Sequence, residues 1–360
     1  MLQNTIKDRL LTFSRYFIVF LVFFWILSEV IIGSNWMFNT LDPLRPTFIG
    51  IDMPIHVEKQ IFHIEKLFRE NDDRSRIIFV GSSSVVNGVD VKRIDKIFSG
   101  ESLDYRLLNY GAVGLYAYEL PLLKKFLLDQ RNVWIVYLYN TFSFGNTFHP
   151  TAIRVRWNTL EGYRLLQNKS IGMEEISQLS AGLLSETFTL IRYSNFYKEC
   201  FRRFLSSRLK PIPYEWDYRP ETPVPVIEQT MTPKAPLPSD DFMRRLYLDS
   251  FHKNDTIGYT GLHQLLKLAN KAGIKVIVAP IPEPNVAVMH SWKIGIDERV
   301  IDEKVRKISE ANNALFISRD EIENIEEESF NFRDHVHFNW VGRNKYSDWL
   351  AERLLKVIRE

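Results

Sequence analysis

The chain has 360 residues, room for one large domain or two modest ones. Hydrophobic residues make up 45% and charged residues 25%, a globular balance that excludes wholesale disorder, collagen and coiled coil. Lys and Arg number 46 against 44 Asp and Glu, without the basic excess of a nucleic-acid binder, and the single cysteine, Cys200, excludes an intrachain disulfide and a cysteine-based zinc site.

Residues 1–15 carry Lys7, Arg9 and Arg15. From Tyr16 to Ile32 the chain reads YFIVFLVFFWILSEVII, 17 residues with one charge, Glu29. A membrane-spanning helix needs about 17–25 apolar residues. The rival readings are a signal peptide, for which Ile31-Ile32-Gly33-Ser34-Asn35 offers no small-x-small cleavage site, and a buried core helix. The following stretch, SNWMFNTLD, has no Lys or Arg, so the basic flank stays inside. The expected layout is a cytoplasmic tail over 1–15 and a transmembrane anchor over 16–33. The membrane would be a bacterial-type inner membrane crossed once, with the N-terminus inside and the main domain extracytoplasmic. One cysteine is compatible with that compartment.

Residues 34–75 read as a connector holding an amphipathic helix, VEKQIFHIEKLFRE. Apolar runs bounded by turn residues then predict buried parallel strands at Arg76–Val80, Tyr105–Asn109 and Val133–Leu138. The stretch YELPLLKKFLLDQ reads as a helix with Pro121 in its first turn. Residues 146–250 break the rhythm. Helices are expected within 158–210, and 211–238 holds eight of the 16 prolines, so this block reads as an insertion, either a cap or partner-binding surface or a passive embellishment. The pattern resumes with a helix around Tyr259–Ala272 ended by Gly273, a strand over Ile274–Ala279, a helix around Glu298–Asn312, a strand at Leu315–Ile317 and a last helix over Trp340–Ile358. Strands alternating with helices indicate an α/β domain with a parallel sheet, formed by 76–145 and 251–360.

Chemistry gathers at the strand ends. The first strand stops at Gly81-Ser82-Ser83-Ser84, the second at Asn109-Tyr110-Gly111-Ala112-Val113-Gly114, the third at Tyr139-Asn140-Thr141. Asp334-His335-Val336-His337 stands near the C-terminus, followed by Gly342. In an open parallel sheet, ligands bind beyond the carboxyl ends of the strands. A serine at a tight strand-to-helix turn can be a nucleophile if a base and an orienting group are in reach. His337 can be that base and Asp334 its orienting carboxylate. The N–H groups of Ser83 and Gly114 and the amide of Asn140 can form an oxyanion hole. Bland readings stand beside these: glycine and serine are common in turns, Asn109, Gly111 and Gly114 suit turns, and Asn140 suits a cap. Asp334, His335 and His337 are also competent metal ligands, although the helix starting at Trp340 leaves little room for a cage.

Taken in order, Ser, Gly, Asn and Asp-x-x-His resemble the SGNH (GDSL-like) hydrolases. Gly81-Ser82-Ser83-Ser84 stands where that family has Gly-Asp-Ser-Leu, which makes Ser83 the nucleophile and leaves Ser82 and Ser84 dispensable. Asn109-x-Gly-x-x-Gly114 resembles the second block. Around Asn140 the match is weakest, with Leu138 and Thr141 where the family has glycine and aspartate. Asp334-x-x-His337 with Gly342 resembles the last block. The resemblance implies a flavodoxin-like three-layer α/β fold, the triad Ser83, Asp334 and His337, the oxyanion donors Ser83, Gly114 and Asn140, and neither cofactor nor metal. With the anchor, it further resembles proteins that acylate envelope polymers. The expected function is a serine esterase or O-acyltransferase working on an acylated cell-envelope glycan through an acyl-enzyme, supplied by an acylated carrier or a membrane acyltransferase. The alternative is a non-catalytic glycan-binding or scaffold protein on the same fold.

Overall fold

Short apolar runs without polar alternation can only go where both faces of a strand are covered, and that is where the structure puts them. The computed structural model describes residues 2–27, 74–111, 115–123, 132–144, 240, 257–322, 325, 331–334 and 336–359. The chain divides into two units, Met1–Lys59 with His149–Glu215 and Gln60–Phe148 with Trp216–Glu360, each described by itself.

In the first unit, α1 spans Leu2–Leu27. Tyr16, Phe17, Ile18, Val19, Phe20, Val22, Phe23, Trp25 and Ile26 are all exposed. Consecutive residues cover every side of a helix, so this stretch is apolar all round, with Leu21 and Phe24 partly buried and the rest exposed. Among the described residues no helix is long and apolar enough to cross a membrane. The expected anchor over 16–33 runs past Leu27 and ends outside the described residues, as do the helices expected over 57–70 and 158–210.

The second unit holds β1 (Ser75–Gly81), α2 (Ser83–Gly88), α3 (Val91–Gly100), β2 (Tyr105–Gly111), β3 (Val133–Tyr139), α4 (Ile257–Lys271), β4 (Lys275–Pro280), α5 (Asn285–Lys293), α6 (Glu298–Glu310), β5 (Leu315–Phe316) and α7 (Trp340–Arg359). All strand pairs are parallel, in the order β2-β1-β3-β4-β5. That is the flavodoxin-like doubly wound order. Side chains alternate between two buried faces. Ile77, Phe79, Leu107, Trp134, Val136, Leu138, Ile277 and Ala279 share one core with Ile94 and Phe98 of α3 and Tyr346, Leu350 and Leu354 of α7. On the other face lie Ile78, Val80, Leu108, Tyr110, Ile135, Tyr137, Tyr139 and Val278. There Tyr139 meets Phe144 edge-on, and Phe144 stacks on Tyr259 of α4.

Three helices lie beyond the sequence expectation: α2, α3 and α5. In α3 the signal is present, with Asp90 accepting from Arg93 N at 3.2 Å as N-cap and Val91, Ile94 and Phe98 buried on one side. The helix expected in YELPLLKKFLLDQ is instead a 3-10 helix over Ala117–Leu123, while 124–131 lie outside the described residues. Pro121 lies inside the 3-10 helix, and without an N–H it can bond neither the Ala117 nor the Tyr118 carbonyl.

The end of β2 holds α2 in place. A β carbon at Gly111 would lie 2.4 Å from Val86 N and 2.9 Å from Val85 Cβ, and Asn109 Nδ2 donates to the carbonyls of Val85 and Val89 at 2.9 and 3.1 Å. Gly111→Ala is therefore expected to destabilise the protein by about 1–3 kcal/mol or more through overpacking against backbone. Denaturant titration of the purified protein checks this, and an unchanged midpoint would show that α2 does not rest on the contact.

Candidate active site

β1 ends at Gly81, and the chain turns at once into α2. Ser82 is the N-cap, its hydroxyl accepting from Ser84 N at 3.4 Å. Ser83 is thus the first helical residue, and its carbonyl accepts from Asn87 Nδ2 at 2.8 Å. β1 and β3 are the neighbours at which the strand order reverses, so the residues that follow them, Ser83 and Asn140, both leave the sheet at its switch point, where such folds bind ligands.

The loop before α7 is a small closed hairpin. Phe332 and Phe338 form an antiparallel bridge and stack with centroids 4.8 Å apart. Arg333 N donates to the His337 carbonyl at 3.0 Å, and Asn339 N to the Asn331 carbonyl at 2.9 Å. Gly342 lets α7 start against it, since a β carbon there would lie 2.2 Å from the Asn331 carbonyl oxygen. Inside the hairpin Asp334 Oδ1 accepts from the N–H groups of Val336 and His337, both at 2.9 Å.

The structure brings three of the expected residues into line. His337 Nδ1 lies 2.8 Å from Asp334 Oδ2 and 2.9 Å from Oδ1, and His337 Nε2 lies 2.9 Å from Ser83 Oγ. A carboxylate only accepts, so Nδ1 carries the proton and Nε2 is left to accept from the serine hydroxyl. Burial alone would push the Asp334 carboxyl up. The His337 hydrogen bond and charge, with the Val336 and His337 N–H groups, outweigh it and hold the carboxyl well below the usual carboxylate range. Asp334 therefore stays charged whenever the imidazole works.

Asn140, the first residue after β3, is buried. Its Nδ2 donates to Ser84 Oγ at 2.7 Å, its Oδ1 accepts from Ser143 Oγ at 3.0 Å, and its own N–H donates to Ser143 Oγ at 3.1 Å. Ser84 Oγ donates onward to the Val336 carbonyl at 3.2 Å. Gly114 and His335 lie outside the described residues. Asn109 and Gly111 take the structural role described above.

Two residues at the edge carried no signal in the sequence. One is Ser84. The other is Glu283, just beyond β4, fully enclosed, with Oε2 accepting from Thr141 N at 3.2 Å and from Thr141 Oγ1. Thr141, a departure from the family pattern, is thus the point at which a buried carboxylate grips the Asn140 turn. Burial pushes the Glu283 carboxyl up to about 7, with the Thr141 hydroxyl and the Arg319 charge pulling the other way. Behind it, Arg319 Nε donates to Asp302 Oδ2 at 2.7 Å and Tyr139 OH to Asp302 Oδ1 at 2.8 Å.

No protein-family model and no curated protein matches the chain. Among solved structures it is similar to the acetyl xylan esterase AlAXEase, at 13% identity over 78% of this chain and 99% of that one, with a TM-score of 0.37. It is also similar to a protein described as an acylhydrolase from Bacteroides fragilis NCTC 9343, at 10% identity over 84% and 98%, with a TM-score of 0.39. The chemistry of the site is read from its own geometry.

Glu283 makes stability depend on pH in a definite direction. Its folded-state value, about 7, lies above the ordinary 4.5. Between the two the folded state holds a proton that the unfolded state has released, so this contribution is full below about 4.5 and is lost as pH rises through 7. Glu283→Gln keeps an acceptor for Thr141 and never ionises. The variant should match wild type at pH 5 and exceed it by roughly 2–3 kcal/mol at pH 8.5. Denaturation midpoints at the two pH values check this, and a variant-to-wild-type difference independent of pH would refute it.

Proposed function

We propose that the chain is a serine esterase or O-acyltransferase of the SGNH (GDSL-like) kind, anchored in a membrane and acting through an acyl-enzyme on an acylated cell-envelope polysaccharide. The observation that carries the reading is the hydrogen-bonded line from Ser83 through His337 to Asp334 at the switch point of the sheet. Ser83 Oγ attacks the ester carbonyl carbon as its proton passes to His337 Nε2. Asp334 holds the imidazole in the required tautomer and stabilises the imidazolium. The oxygen that gains charge is met by the Ser83 N–H and by the second hydrogen of Asn140 Nδ2, the first being engaged by Ser84. Collapse expels the alkoxide, which takes the proton from His337. The acyl group then passes from Ser83 to water in an esterase, or to a sugar hydroxyl in a transferase, with His337 again as base. A transferase would draw its acyl group from an acylated carrier or a partner membrane acyltransferase. A non-catalytic binder has no use for an imidazole whose free nitrogen faces a serine hydroxyl, which favours the enzyme.

A fluorophosphonate probe should label wild type at Ser83, read by peptide mass spectrometry. Ser83→Ala and His337→Ala should each lower turnover of a small acetyl ester by at least ~10³-fold, and the double variant should be no worse than either, because triad members act as a unit. Full activity in Ser83→Ala would remove the serine mechanism.

The anchor is supported by the exposed apolar residues of α1 between Tyr16 and Ile26 and by the basic residues before them. With the N-terminus inside and the remaining chain extracytoplasmic, a periplasm-active reporter fused after Glu360 should be active and a cytoplasm-active one silent. The opposite pattern would reverse the topology.

A further inference from the structure

A hydrogen-bond donor aimed at a developing oxyanion is useful only if the amide presents nitrogen and not oxygen. Asn140 has both ends on one flat group, and a half-turn about its side-chain bond would exchange them. Ser84 settles the choice. Its single hydroxyl hydrogen goes to the Val336 carbonyl at 3.2 Å, a group that can only accept. The Ser84 oxygen therefore offers a lone pair to Asn140, and only Nδ2 can answer it, at 2.7 Å. At the other end Ser143 Oγ accepts from Asn140 N–H and donates to Asn140 Oδ1 at 3.0 Å. Ser84 imposes the polarity, and the Ser143 contact agrees with it. Ser84 and Asn140 are both buried, so water does not replace a lost partner freely.

We infer that Ser84 is a positioning residue: its hydroxyl, oriented by the carbonyl next to His337, fixes the Asn140 amide as a donor toward the carbonyl oxygen of the ester bound at Ser83. The sequence resemblance makes Ser84 dispensable. The geometry assigns it the link between three separate parts of the edge: the nucleophile helix, the end of β3 and the histidine hairpin. The inference rests on the serine-enzyme reading and deepens it.

The test uses full-length protein in detergent with a small acetyl ester. Ser84→Ala should lower kcat by roughly 10- to 100-fold with KM within about twofold, less than the ~10²–10³ expected for loss of the donor itself in Asn140→Ala. The Ser84→Ala/Asn140→Ala double variant should be no slower than Asn140→Ala, since one residue acts through the other. Ser84→Thr and Ser84→Val control for packing, because they have the same shape and differ in the hydroxyl alone. Threonine should retain most of the rate and valine should fall with alanine, even if the added methyl lowers the thermal midpoint of both. Equal rates for threonine and valine, or additive losses in the double variant, would overturn the inference while leaving Ser83 chemistry intact. A wild type that neither turns over the ester nor takes a fluorophosphonate would overturn the serine-enzyme reading itself, and this inference with it.

Discussion

At the carboxyl edge of the sheet, backbone meets backbone without room for a side chain. The ends of β1 and β3 approach so closely that a β carbon at Gly81 would lie 2.3 Å from the Leu138 carbonyl oxygen, and α2 presses so hard on the end of β2 that one at Gly111 would lie 2.4 Å from Val86 N. These contacts set the height at which Ser83 stands over the sheet. A close-packed interior does not yield by continuous deformation, so the strand-end contacts hold one side of the 2.9 Å approach between Ser83 Oγ and His337 Nε2. The hairpin of Asp334 and His337 is positioned by the same logic, through the approach of Gly342 to the Asn331 carbonyl. Glycines at this edge are there for distance.

Two carboxyl groups near the edge are driven in opposite directions, and the contrast explains their division of labour. Asp334 is surrounded by donors: an imidazole and two backbone N–H groups. It stays charged and can stabilise a cation forming beside it. Glu283 is enclosed, and the two donors it has both belong to Thr141. Burial wins there, and its carboxyl rises to about 7. A group so placed is unsuited to stabilising charge, but it can clamp a turn. Thr141 is next in chain to Asn140, so Glu283 braces the turn whose amide Ser84 orients. The reacting line and its scaffold therefore use the same functional groups for opposite purposes, set by how many donors each finds.

What could be read in the sequence follows the range of the interaction involved. The apolar runs of β1, β2, β3 and β4 announce themselves because burial on both faces leaves a continuous signal in consecutive residues. The pairing of Asp334 with His337 is equally local, three residues apart. The alternation of strands and helices, with turn residues at each strand end, points to the carboxyl edge of the sheet and hence to Ser83 and Asn140, while the strand order that makes them neighbours at the switch point comes from the fold. The stretch Ala117–Leu123 is helical as expected but 3-10 in type, a difference that Pro121 does not decide, since it lacks the N–H for either bonding pattern. Ser84 and Glu283 are different. Ser84 meets partners 56 and 252 positions away, and Glu283 meets one 142 positions away. A serine in a serine-rich turn and a glutamate between two prolines have no local pattern that distinguishes them, so only the fold reveals what they do.

The same separation of ranges bears on what decides between hydrolysis and transfer. In the proposed mechanism both half-reactions use Ser83 Oγ, His337 Nε2 and the Asn140 donor, and attack by water or by a sugar hydroxyl on the acyl-enzyme needs the same base and the same oxyanion donors. No adjustment of the triad favours one acceptor over the other. The choice is made by what occupies the space in front of the acyl carbonyl, and by how far water is kept from it. Asp334 retains 36% of its side-chain exposure and His337 18%, so the described walls alone leave the line accessible to water. A transferase would therefore have to exclude water with groups outside the triad and its scaffold, or hold its acceptor hydroxyl at high effective concentration against His337. Selection for transfer would thus act on the acceptor subsite, leaving Ser83, Asp334 and His337 as they are in a hydrolase.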